Sequence, residues 1–166
     1  MAYFDPGSVI WALKSTDKYD AIREVVSKAR AFAKVPGLEV DEFAELVIRR
    51  EKLQSTGFGH GVAVAHGRTE RVSEPVIALG VSREGIEFGA VDGEPVHLLF
   101  IVANHPEHQM NYLRILSSLV AMVREKRFRE EILTCRRADE AEQKLCGAFE
   151  VLLQRHQSSS RSEATA

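Results

Sequence analysis

The chain has 166 residues with 45% hydrophobic and 28% charged side chains, the composition of one globular domain rather than of a wholly disordered chain. Its 22 Lys+Arg nearly balance 24 Asp+Glu, for a net charge of −2, so it has no basic field to grip nucleic acid. The longest unbroken apolar run covers residues 98–103, far short of the roughly 20 residues that span a bilayer.

The first 10 residues, MAYFDPGSVI, carry Asp5 and Pro6 where a signal peptide would be apolar. Residues 15–33 form the first helical pattern, with Ile22, Val25, Val26, Ala29 and Phe32 in register and Ser15 or Thr16 as the expected cap. Val35-Pro36-Gly37 ends it. A second helix is expected over residues 41–53, where Phe43, Leu46, Val47 and Arg50 share a face. Residues 56–67, TGFGHGVAVAHG, follow as a glycine-rich segment with a short strand at 62–64 entering a loop at His66 and Gly67. Strands are expected at 76–81 and 96–102, the latter apolar enough for burial on both faces, with turns or an edge hairpin over 83–95. A third helix over 106–125 places Met110, Leu113, Leu116, Leu119, Val120 and Val123 on its buried stripe. A short helix at 128–133 and a last one at 138–153, with Ala141, Leu145, Ala148, Phe149 and Leu152 in register, complete the pattern. Residues 1–154 are expected to form a single domain, and 155–166 a disordered tail. Helices on both flanks of short apolar strands make this an α/β domain with three layers, α/β/α. Cys135 and Cys146 lie in no CxxC pair, and reduced thiols in the cytoplasm are the simple expectation.

His66 is expected at a strand end beside a tight turn, and spacing alone favours an ordinary surface-loop histidine. His60 lies six residues earlier, and an even separation in an extended segment puts both rings on one face. His105 and His108 open the third helix, with Tyr112 one turn beyond His108, where free N–H groups suit an anion. Arg50 ends the second helix just before the glycines, so its guanidinium can reach an anion near His66. The histidines match no familiar zinc spacing, and no metal or other cofactor is called for.

Arg50-Glu51-Lys52-Leu53, Ser55-Thr56-Gly57-Phe58-Gly59 and Gly61-Val62-Ala63-Val64-Ala65-His66-Gly67 together resemble the signature of the enzyme IIA components of the bacterial sugar phosphotransferase system. The resemblance is to the fructose/mannitol branch and its nitrogen-regulatory relatives, and it covers about residues 9–153. It implies a mixed five-stranded sheet flanked by helices. It also implies a histidine, here His66, that accepts a phosphoryl group from the carrier protein HPr or its nitrogen-branch counterpart and passes it to a IIB domain or serves as a regulatory signal. The arginine of the motif maps to Arg50. Neutral imidazole suits this chemistry, being both a good nucleophile toward phosphorus and a good leaving group. Phe58, Val64, His108 and Met110 are the expected partner-facing rim.

Three departures from the family pattern stand out. Ala65 replaces the proline before the active histidine, Tyr112 stands where many relatives have a second active-site histidine, and His60 stands where Asn or Glu is common. His60, with His108, is the expected substitute for the missing imidazole. A regulatory binding module controlled by phosphorylation is the alternative use, favoured by the absence of IIB or IIC segments in 166 residues. A metal-binding or hydrolytic site built on the histidines is the weakest alternative.

Overall fold

The computed structural model describes residue 4 and residues 6–165, with side chains as far as residue 155. Five strands form one mixed sheet: β1 (Val9–Ile10), β2 (Gly57–Gly59), β3 (Val62–Arg68), β4 (Val76–Ile86) and β5 (Val96–Asn104). Their spatial order is β1-β4-β5-β3-β2. β1 runs parallel to β4, and β3 parallel to β5, while the β4–β5 and β2–β3 pairs are antiparallel.

Alternation along β3 and β5 divides the core into two. Val62, Val64, Leu98, Phe100 and Val102 point to one face, covered by α4 (Gln109–Arg124), α5 (Lys126–Leu133) and α6 (Ala138–Thr165). Ala63, Ala65, Leu99, Ile101 and Ala103 point to the other, covered by α1 (Lys18–Lys28), α2 (Arg30–Ala33) and α3 (Val40–Leu53). The three-layer α/β/α architecture expected from the pattern is therefore the one observed.

Several boundaries differ from the sequence expectation. The first helix is two helices, because Ala29 is extended (φ −71, ψ 118) and the next amide, that of Arg30, donates to the Gly7 carbonyl at 3.2 Å. The cap is Asp17, whose side chain accepts from the Tyr19 and Asp20 amides, and not Ser15 or Thr16. β3 does not end at residue 64. It continues to Arg68 because β5 pairs with it in register through Asn104, so His66 lies within a strand opposite Val102. β4 also runs on to Ile86, through an irregularity between Val81 and Ile86.

The buried stripe of α4 is Tyr112, Ile115, Ser118, Leu119, Met122 and Val123, while Met110 is 77% and Leu113 46% exposed. The helix has a wide apolar arc, and contact with the sheet selects only one edge of it. On α3, Leu46 is likewise 38% exposed. The backbone of α6 continues past Leu153 to Thr165, whereas side chains beyond Arg155, in the segment expected as a tail, lie outside those described.

Glu24 ties the segment before α1 to that helix. Its carboxylate accepts from the Lys14 and Ser15 amides and from the Ser15 hydroxyl at 2.7 Å, and pairs with Lys28 at 2.9 Å. Burial opposes ionisation, but the Ser15, Lys28 and Lys14 contacts outweigh it and hold the carboxyl at about 2 rather than 4.5. A depressed folded-state value stabilises the fold above the unfolded carboxylate range, and that stabilisation is lost as pH falls from about 4.5 through about 2. Glu24→Ala is expected to cost about 2 kcal/mol at pH 7. Urea melts at pH 7 and pH 3 check this, since the gap between wild type and variant should shrink at the lower pH.

Candidate functional site

The site begins at a close approach between α3 and β3. A Cβ on Gly67 would meet Phe43 Cε2 at 2.9 Å and Val47 Cγ2 at 3.0 Å, so α3 packs directly on the strand at this residue. That contact brings Arg50, one turn beyond Val47, beside His66. Gly67→Ala is expected to push α3 outward and cost about 2 kcal/mol by overpacking, measurable in urea melts.

His66, Val64 and Arg68 share one face of β3, and the His66 ring tilts against Tyr112 with centroids 5.1 Å apart and planes at 43°. Both rings open onto a cleft of about 500 Å³. Arg50, Gln54, Thr56, Phe58, His60 and Val64 line one side. Tyr112, Leu116, Val120 and Arg124, spaced four residues apart along α4, line the other.

The His66 pKa lies below its ordinary value. Burial is the main cause, the Arg50 guanidinium and then Arg68 add to it, and the Val64 carbonyl works in the opposite direction. Nδ1 of His66 is buried without a hydrogen bond, which leaves Nε2 as the nitrogen open to the cleft. Tyr112 is pushed up by burial, against the influence of Arg50 and Arg68, so its hydroxyl keeps its proton near neutral pH. Arg50 gives one hydrogen bond to the Gln54 carbonyl at 3.2 Å and has no carboxylate partner among the described residues. A ring whose charged form is disfavoured thus faces a guanidinium with no carboxylate partner among the described residues.

His60 occupies a left-handed turn (φ 59) between Gly59 and Gly61, and its amide donates to Asp92 at 3.1 Å, which holds the residue at the cleft mouth. The structure therefore gathers His66, Arg50, His60, Tyr112, Phe58 and Val64 at one cleft. It does not bring His108 or Met110 there. His108 stacks on His105 with centroids 4.5 Å apart, and its Nδ1 donates to the Ser73 carbonyl at 2.9 Å. Met110 points to solvent, because the buried edge of α4 runs through Tyr112.

Sequence reasoning missed Glu51, Arg68 and Arg124. Glu51 is buried, accepts from the Thr56 amide at 3.0 Å and from its hydroxyl, and lies 3.7 Å from Lys18, so it pins the loop that forms one cleft wall. A carboxylate four residues after Val47, on the inner face of α3, was the available signal. Among the described residues, no group of three or more His, Cys, Asp or Glu is placed to hold a metal ion, and no helix is long and apolar enough to cross a membrane.

Residues 2–145 match the family described as phosphoenolpyruvate-dependent sugar phosphotransferase system, EIIA 2. The chain belongs to this family. Among curated relatives of this EIIA domain, the fructose-specific EIIABC component of Bacillus subtilis is 30% identical over 127 residues, 76% of this chain but 20% of that protein's length. The nitrogen regulatory protein of Bradyrhizobium diazoefficiens is 27% identical over 133 residues, 80% of this chain and 85% of that protein. The solved IIA-Ntr of Neisseria meningitidis superposes with a TM-score of 0.75 at 31% identity, covering 84% of this chain and 94% of that one. The same fold appears in IIA mannitol of Escherichia coli, which has been solved in complex with phosphorylated enzyme IIB mannitol (TM-score 0.70, 22% identity, covering 86% of this chain and 96% of that one).

Proposed function

We propose that this EIIA domain, over residues 1–154, is a phosphocarrier whose acceptor is His66. The observation that carries the reading is a half-buried imidazole, its charged form disfavoured, with Nε2 open to a cleft, beside a guanidinium with no carboxylate partner among the described residues. The Nε2 lone pair attacks phosphorus of a phosphohistidine on an HPr-type donor. A new N–P bond forms, the donor's N–P bond breaks, and its electron pair returns to the donor ring. Nδ1 of His66 carries the proton throughout, and the Val64 carbonyl favours the charge that the ring gains. Transfer onward to a IIB-type partner is the same step reversed, with the partner's side chain as nucleophile.

Arg50 holds the equatorial oxygens, and the Tyr112 hydroxyl donates to one of them, so the machinery is positioning plus charge stabilisation. His60 faces the incoming partner from the cleft mouth. Phe58, Val64, Leu116 and Val120 give the cleft an apolar lining that lets a partner exclude water. Neither transfer requires a cofactor.

A second use of the same site is regulatory, with phospho- and dephospho-His66 presenting different charge to a target protein. It is supported by the similarity to nitrogen regulatory proteins over most of their length. The test of the acceptor is incubation with enzyme I, an HPr-type carrier and phosphoenolpyruvate. One acid-labile, base-stable phosphoryl group per chain is the expected product. Absence of label on the wild-type protein with either the sugar-branch or the nitrogen-branch carrier would sink the reading.

A further inference from the structure

Arg68 ends β3 two residues beyond His66, and side chains two apart on a strand share a face with Cα atoms roughly 7 Å apart. That face is the one on which Val64 and His66 meet α4. Arg68 is exposed, and among the described residues its guanidinium has no ion-pair partner. It lies outside the residues that line the cleft, but a side chain of four rotatable bonds covers that spacing by changing rotamer. Against His66 stands Tyr112, a phenol that burial keeps neutral and that brings no positive charge to the site. Arg50 and Arg68 are the two cations whose fields reach both His66 and Tyr112.

We infer that Arg68 is a second phosphoryl-binding guanidinium, which with Arg50 brackets the dianion on His66 and supplies the positive charge that Tyr112 lacks. The inference rests on His66 being the acceptor. Arg68 forms no covalent bond in this role. It donates N–H groups to phosphoryl oxygens, which guanidinium geometry suits.

The test compares Arg68→Gln and Arg68→Lys with the wild-type full chain in two measurements. Without phosphorylation, NMR titration of His66 should show a higher midpoint in Arg68→Gln, because a repelling cation is gone, and a near wild-type midpoint in Arg68→Lys. With a phosphorylated carrier, the phosphoryl equilibrium should move toward the donor on the order of tenfold in Arg68→Gln, with most of it restored in Arg68→Lys. An unmoved titration and equilibrium in Arg68→Gln overturn the inference. So does a raised donor KM at an unchanged equilibrium, which would make Arg68 a docking residue only. An unlabelled wild type overturns the acceptor reading, and this inference with it. A labelled wild type beside an indistinguishable Arg68→Gln overturns this inference alone.

Discussion

His66→Ala is expected to take up no phosphoryl group under conditions that label the wild-type chain fully. The ring is the only imidazole on the strand at the base of the cleft, and its Nε2 is the nitrogen open to it. The loss is of the nucleophile itself, so no rate remains to be rescued by more donor or longer incubation. Folding should survive, since His66 is only partly buried and its Nδ1 makes no hydrogen bond that the variant would forfeit. Intact-protein mass and a thermal melt, measured on the same sample, separate the two effects. Full labelling of a folded His66→Ala chain would move the acceptor elsewhere, and peptide mapping would then show whether His60 carries the group.

Arg50→Met should slow phosphoryl uptake by about 100-fold, the scale of removing one preorganised charge stabiliser from a transition state. Stability should change little, because Arg50 is partly exposed and its hydrogen bond to the Gln54 carbonyl lies at the surface. The pH dependence has a definite sign. Arg50 repels a protonated His66, so its removal raises the His66 pKa and lowers the neutral fraction near pH 6.5. The deficit relative to wild type should therefore be larger at pH 6 than at pH 8. Rates within a factor of two of wild type across that range would remove Arg50 from the transition state.

The elements themselves were legible because their signals are local. Ile22, Val25 and Val26 repeat at helical spacing, and all three are buried in α1. Residues 96–102 read as a doubly buried strand, and β5 occupies the middle of the sheet with neighbours on both sides. Boundaries were less legible, because they depend on partners distant in sequence. β3 reaches Arg68 only because β5 is long enough to pair with it there. The N-terminal helix breaks at Ala29 because the following amide finds a carbonyl at Gly7, 23 residues earlier.

Membership of the EIIA family was legible in the ordered string from Arg50 to Gly67, since backbone-permissive glycines and polar residues recur there in an order that a core or a surface does not require. The string also pointed to His66 and Arg50. What the tertiary structure alone decided is the shape and charge of their surroundings. Packing of Phe43 and Val47 onto Gly67 sets Arg50 beside the imidazole, α4 lays Tyr112, Leu116, Val120 and Arg124 along the opposite wall and turns Met110 to solvent, and His108, just before that helix, is held by His105 and the Ser73 carbonyl. The reason is geometric. Periodicity shows that a helix has an apolar face, but only the sheet beneath it selects which edge of that face is buried and which is left to line a cleft.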